Sequence, residues 1–110
     1  MPSTGLFGPY SLSNTNVDIC TGASPGVYAL GYSKNGLFYV LYVGRSDNNL
    51  NSRLKQWVGA YAEFQYGHYD TKKQAFENEC HLYHAFSPPD NEIHPAVPDG
   101  TSYKCPVCGA

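Results

Sequence analysis

Two phenols, one guanidinium and one carboxylate stand in this 110-residue sequence where packing gives no obvious reason for them. Tyr28 closes the triplet Gly26-Val27-Tyr28, Tyr42 opens Tyr42-Val43-Gly44, Arg53 follows eleven positions later, and Glu79 lies inside an apolar stretch. These are the parts that phosphodiester cleavage requires: groups that activate and position water, a planar fork of donors for the charge growing on phosphate, and a hard anionic ligand for a divalent ion. Glu79 is the sharpest signal. Wound as a helix, Ala75, Phe76, Leu82, Tyr83 and Phe86 make one apolar arc with Glu79 near its centre. A carboxylate isolated there is costly unless a cation compensates. It is either paired with a buried arginine or bound to Mg²⁺ or Mn²⁺, and the metal reading is preferred. Cations near the tyrosines are expected to lower the pKa of one phenol, so that it takes a proton from water while the other orients the nucleophile.

A second constellation closes the chain. Cys105-Pro106-Val107-Cys108-Gly109 is a C-x-x-C knuckle of the kind that clips zinc. Cys80 and His84, at i and i+4, share one helix edge and are the expected partners; His94 is the alternative fourth ligand and His81 a more distant one. A redox dithiol competes with structural zinc for the same motif. Cys20 reads as a buried thiol.

The elements that must position these groups are legible in outline. From Pro25 and Gly26 a run of β-branched, aromatic and small residues reaches Tyr32, turns at Ser33-Lys34-Asn35-Gly36, and resumes from Leu37 to Val43, which predicts a β-hairpin. Its register matters. A two-residue Asn35-Gly36 loop alone would set Tyr28 opposite Val43 and turn Tyr42 to the other face. A three-residue loop of Lys34-Asn35-Gly36 would bring Tyr28 directly opposite Tyr42. A shared site therefore predicts that longer loop, or an equivalent bulge elsewhere in the hairpin. Leu50, Leu54, Trp57 and Val58 form the stripe of a helix capped from Asp47-Asn48-Asn49 and ended by Gly59, with Arg53 beside the stripe. Tyr61 to Tyr69 reads as a third strand. Thr71, with Gln74 as capping-box partner, opens a second helix that runs to about Phe86 and stops at Pro88-Pro89. The expected organisation is an irregular leader over 1–25, a core over 26–86, and an irregular tail over 87–110 clipped by zinc.

Length and charge bound the rest. One domain of this size holds a single core and gains noticeably from a metal. The net charge of −2 argues against strong non-specific nucleic-acid binding, but it is unevenly spread. Residues 26–75 carry six basic against three acidic side chains, a balance of +3, and residues 76–110 carry one against five, a balance of −4. Lys34, Arg45 and His68 in the basic part are candidate substrate contacts. With no run of eighteen apolar residues and no signal-peptide pattern after Met1, the expectation is a soluble cytoplasmic protein without membrane contact, whose cysteines are thiols or metal ligands.

Taken in order, Gly26-Val27-Tyr28, Tyr42-Val43-Gly44-Arg45-Ser46, Arg53-Leu54 and Asp70-Thr71 followed by Ala75-Phe76-Glu77-Asn78-Glu79 resemble the GIY-YIG nuclease family over residues 26 to about 86. Val replaces Ile in both namesake triplets. The resemblance implies an α/β sandwich with a small, mostly antiparallel central sheet flanked by helices, and metal-dependent endonucleolytic hydrolysis of DNA. It implies that Tyr28 is the general base or its activator, Tyr42 its partner in positioning water, Arg53 the stabiliser of the transition state and Glu79 the ligand of a single Mg²⁺ or Mn²⁺. Arg45 would touch phosphate. Trp57 stands where many members carry a His, for which His68 is a candidate substitute, and Asn91 is the counterpart of a downstream Asn. Two other readings compete with the nuclease: a catalytically idle nucleic-acid or protein-binding module that keeps the fold, and a small zinc adaptor whose tail is the working part. Targeting would come from a separate DNA-binding partner, from a homodimer or from DNA shape.

Overall fold

The computed structural model describes residues 3–109. Strands β1 (Phe7–Ser11), β2 (Gly26–Lys34), β3 (Leu37–Ser46) and β4 (Glu63–His68) form one antiparallel sheet in the order β1-β4-β2-β3. Helices α1 (Asn14–Cys20) and α2 (Leu50–Lys55) lie with one core cluster and α3 (Lys72–Phe86) with another. The alternation of β2 produces this division. Tyr28 and Leu30 pack with Leu12, Val17, Leu50, Leu54 and Phe64, whereas Val27 and Ala29 pack with Val40, Val43, Ala75 and Leu82. The result is the sandwich expected from the sequence, with helices on both faces of a small antiparallel sheet.

Residues 1–25 depart from their expected irregularity. Within the described part, Phe7–Ser11 pairs with β4 as the outer strand, and Ser13 caps α1 by accepting the Asn16 amide at 3.1 Å. Val17 of α1 is fully buried. The strand is concealed in sequence because Gly8-Pro9 falls inside it, at a register irregularity on the sheet edge, the one setting in which a strand tolerates Pro.

The hairpin turns differently from the three-residue loop expected. Lys34 pairs with Leu37, and Asn35 (φ 54°) with Gly36 (φ 78°) makes a two-residue turn with both central residues left-handed, a conformation that Asn and Gly accept. The compensating residue lies inside β3. Gly31 pairs with Val40 and Leu30 with Tyr42, so Leu41 is extra. Tyr39 O presses to 1.8 Å from where a Cβ on Gly31 would stand, so only glycine admits this bulge. The shift sets Tyr28 opposite Gly44 and Tyr42 opposite Leu30, which leaves the two tyrosines on one face, diagonal to each other.

The helices follow their signals. Thr71 and Gln74 complete the capping box of α3, which ends at Phe86 with Ser87 left-handed ahead of Pro88-Pro89. Asn49 caps α2, but its α-helical part stops at Lys55; the Gln56 and Trp57 amides bond to Arg53 O and Leu54 O, a tightened final turn that keeps Trp57 against the core. Residues 87–109 contain neither helix nor strand. They are tied down along the free edge of β3, where the Asp90 amide donates to the bulge carbonyl Leu41 O at 2.9 Å and the Asn91 side chain grips both the N–H and the C=O of Val43 at 2.8 and 2.9 Å. Among the described residues no helix is long and apolar enough to cross a membrane.

Candidate active site

Tyr28, Tyr42, Arg53 and Glu79 converge on one open cleft of about 310 Å³ at the β3 edge of the sheet. They reach it from opposite sides. Tyr28 and Tyr42 come from the face packed by α1 and α2, with ring centroids 6.3 Å apart, and Arg53 from α2 beside them. Glu79 comes from α3 on the other face. Gly44 makes the junction possible. It faces Tyr28 across the hairpin, and a Cβ there would stand 2.4 Å from both Cζ and the hydroxyl oxygen of Tyr28, so the phenol lies directly over the glycine and projects to the strand edge.

Tyr28 is 1% exposed, and its hydroxyl accepts the indole N–H of Trp57 at 2.8 Å. Trp57 packs against Tyr42, its ring tilted 42° with centroids 4.8 Å apart, and also contacts Tyr61. This aromatic wall fixes the phenols but does not acidify them. Burial, together with the neighbouring Tyr42, pushes the Tyr28 pKa up beyond what the Trp57 hydrogen bond and Arg53 recover, and burial with Glu79 raises Tyr42 despite Arg53. The expectation of a phenol with lowered pKa is therefore corrected: desolvation wins, and both hydroxyls are neutral at physiological pH.

Glu79 is 7% exposed and its Oε1 accepts from the Arg45 guanidinium at 2.7 Å. The buried-arginine pairing and the opening to a cleft thus occur together. Burial raises the Glu79 carboxyl to about 7, and Asp47 adds to the rise, while Arg45 and His94 pull it down. Among the described residues only one of its two oxygens is engaged. Arg45 differs from a free phosphate contact. Its guanidinium is shared among Asp47 at 2.5 Å, Glu79, and Ala96 O at 2.7 Å, and lies over the Phe76 ring. It holds the carboxylate and the tail rather than projecting alone. Arg53, by contrast, is exposed and makes no ion pair among the described residues.

Lys34 and His68 fall outside the cleft. Lys34 is exposed at the hairpin tip, the end of β2 opposite Tyr28. His68 ends β4 and is spent on Ser24 Oγ at 2.8 Å, Pro25 O and the Gly22 amide, so it braces the segment before β2. Neither assignment as a substrate contact fits these positions.

Residues 91–96 of the tail form the opposing wall, a contribution that sequence alone did not reveal. Asn91 is its anchor on β3. The signal was weak: one Asn in a Pro-rich segment, twelve residues beyond Glu79. Trp57 and Gly44 were visible as residues, but their roles as hydrogen-bond donor to Tyr28 and as the gap beneath it depend on the bulge.

Behind this wall, one ligand atom each of His84, His94, Cys105 and Cys108 lies within 4.8 Å of the others. His94 thus takes the place expected for Cys80. The Cys80 thiol is fully buried against Phe76 and Cys105, in apolar surroundings that raise its pKa. Burial works against ionising Cys105 as well, yet the Cys108 and Val107 amides, then His94 and Cys80, hold its pKa down at about 5. His81 is exposed and outside the group.

The fold matches solved structures. The GIY-YIG N-terminal endonuclease domain of UvrC from Thermotoga maritima, bound to its catalytic divalent cation magnesium, superposes with a TM-score of 0.55 at 21% identity, over 69% of this chain and 92% of that one. Two single-residue variants of the same domain, each bound to its divalent cation, superpose equally at 20% and 21% identity. The chain therefore has the fold of GIY-YIG endonuclease domains. No protein-family model matches the sequence, and no curated protein does.

Proposed function

We propose that this protein is a GIY-YIG endonuclease that hydrolyses DNA phosphodiester bonds with one divalent ion held by Glu79. The observation that supports this reading best is the convergence of Tyr28, Tyr42, Arg53 and Glu79 on a single solvent-open cleft from four separate elements, β2, β3, α2 and α3. The donor set fits Mg²⁺ or Mn²⁺: a carboxylate whose pKa burial raises despite Arg45, with one oxygen committed to Arg45 and the other available among the described residues. Such an ion, when bound, acts as a Lewis acid on the scissile phosphate and offsets charge on the departing oxygen.

The chain's own residues supply the rest. Arg45 keeps the carboxylate aimed at the cleft. Arg53, exposed on α2 and without an ion pair among the described residues, receives the phosphate oxygens and stabilises the charge that accumulates on them. Tyr28 and Tyr42, as neutral phenols, position the attacking water through hydrogen bonds; Tyr28, already accepting from Trp57, keeps its own proton to donate. The proton that the water loses as it attacks phosphorus passes to solvent in the open cleft, and the oxygen released when the ester P–O bond breaks takes a proton from the same solvent, so no ionised phenolate is required. The tail cluster is read as a structural Zn²⁺ site with His84, His94, Cys105 and Cys108 as ligands, a set suited to zinc. A cytoplasmic setting and a separate DNA-targeting partner or homodimer complete the reading.

Plasmid nicking with Mg²⁺ or Mn²⁺ tests it. Glu79→Ala and Arg53→Ala are each expected to slow cleavage by at least about 10²-fold, the scale on which loss of one charge-stabilising group acts. Equal cleavage by wild type and both variants, or none by any of them, would replace the nuclease reading with that of an idle binding module or zinc adaptor.

A further inference from the structure

We infer that the tail metal is a working part of the cleft: a Zn²⁺ held by His84, His94, Cys105 and Cys108 anchors the wall at residues 91–96, so that a second metal governs the competence of the first. Three observations carry the site itself. The four ligand atoms are mutually within 4.8 Å, and nitrogen and sulfur ligands of tetrahedral zinc, bound at about 2.0–2.3 Å, stand roughly 3.3–3.8 Å apart. His84 Nε2 is buried without a hydrogen-bond partner among the described residues, a position unfavourable for an imidazole nitrogen unless it is a ligand. His94 Nδ1 lies 2.9 Å from Pro95 O, and because a carbonyl only accepts, Nδ1 carries the proton. Its Nε2 then presents a lone pair, 3.4 Å from Cys108 Sγ. Around the sulfurs the chain turns as a metal knuckle does, with Gly109 at φ 78° and its amide on Cys105 O at 2.8 Å.

The coupling to the cleft follows from His94, which belongs to both places. It lines the cleft together with Asn91 and Ala96 and is at the same time a member of the cluster. The segment is tied at three points: Asn91 to the Val43 backbone, His94 to the cluster, and Ala96 O to Arg45, the residue that holds Glu79. His84 carries the restraint into the last turn of α3, the helix that bears Glu79. Without the ion, residues 92–109 keep the Ala96 O contact with Arg45, the buried Pro95 and Pro98, and the packing of Val97, Tyr103 and Cys105 on Phe76 and Cys80, but the link from His94 to the last turn of α3 is gone. Arg45 then has a less firmly fixed carbonyl to complete its hydrogen bonding, and Glu79 a less firmly fixed partner.

The coupling depends on the nuclease reading only for its activity readout; the metal and mobility readouts do not. Purified protein is expected to contain one zinc per chain by elemental analysis. Cys108→Ser and His94→Ala should each lose it, whereas Cys80→Ala should retain it. Removal of zinc with a zinc-selective chelator that spares Mg²⁺ should speed amide hydrogen exchange across residues 90–96 at least tenfold, leave exchange in β2 and β4 unchanged, and slow Mg²⁺-dependent nicking at least tenfold, with restoration on adding Zn²⁺. Zinc well below one per chain, equal loss of zinc in Cys80→Ala, or unchanged exchange in 90–96 would each overturn the inference, as would exchange rising equally throughout the core. Zinc content and exchange behaving as described in a protein that cleaves no DNA would support the anchor and count against the nuclease.

Discussion

Glu79 gives the cleft a pH signature near neutrality. Its carboxyl titrates near 7 in the folded protein against an ordinary value of 4.5, because burial outweighs the pull of Arg45. Between those two values the folded state holds a proton that the unfolded chain has released. The stabilisation from Glu79 is thus complete below about 4.5 and is lost as pH rises through about 7. Melting temperatures of wild type and Glu79→Gln should diverge across that window, the wild type falling relative to the variant as pH increases; parallel curves would remove the raised pKa. Metal binding runs the opposite way, since only the carboxylate is a ligand. Divalent-ion affinity and cleavage should therefore climb through pH 7, with Mg²⁺ itself moving the midpoint lower. The same residue was recognisable from sequence because a lone carboxylate on an apolar arc needs a partner, but its partner was not: Arg45 reaches it only through the packing of α3 on the sheet.

At the scale of elements, the hairpin decides whether two tyrosines make a site. The Leu41 bulge turns Tyr42 onto the face of Tyr28, and Gly44 leaves room for the phenol that crosses above it. Gly44→Ala places a methyl 2.4 Å from the Tyr28 ring, which is buried and pinned by Trp57 and cannot swing aside. The expected result is a loss of about 1–3 kcal/mol in urea-unfolding stability, the range for overpacking a tight core, with a marked fall in cleavage. An unchanged midpoint would mean that the ring does not lie over the strand. Bulge position is poorly encoded locally. Asn35-Gly36 specifies the turn strongly, and the shift is then absorbed wherever a backbone can press on a glycine, here Gly31.

For the whole molecule, the decisive arrangement is a tail without regular structure that closes the outer edge of a four-stranded sheet. An open β3 edge would present unpaired backbone groups, and Asp90 with Asn91 satisfies those of Leu41 and Val43 while their neighbours build the cleft wall. Asn91→Ala removes both hydrogen bonds to Val43. Each contributes about 1 kcal/mol net, so unfolding stability should drop by about 1–3 kcal/mol and the Val43 amide should exchange faster, an effect that a surface substitution such as Glu92→Ala should not reproduce. Tyr61, whose hydroxyl donates to Asp90 at 2.7 Å, links the same tail to the connection between α2 and β4. The cleft is consequently bounded by residues from Tyr28 to Ala96, and the His/Cys cluster of the tail meets it at His94.

The order of the motifs, the alternation of β2, the capping box of α3 and the isolation of Glu79 on an apolar arc are properties of the chain read residue by residue, and they determined the sandwich and the four groups of the cleft. Local patterns suffice there because periodicity dictates which face a side chain takes. Strand β1, the location of the bulge, the Arg45–Glu79 pair, the exclusion of Lys34 and His68 and the choice of His94 over Cys80 were decided only by tertiary structure. Each depends on which distant segments meet, and that is settled by burial and edge pairing summed over the whole fold, quantities that no window of sequence contains.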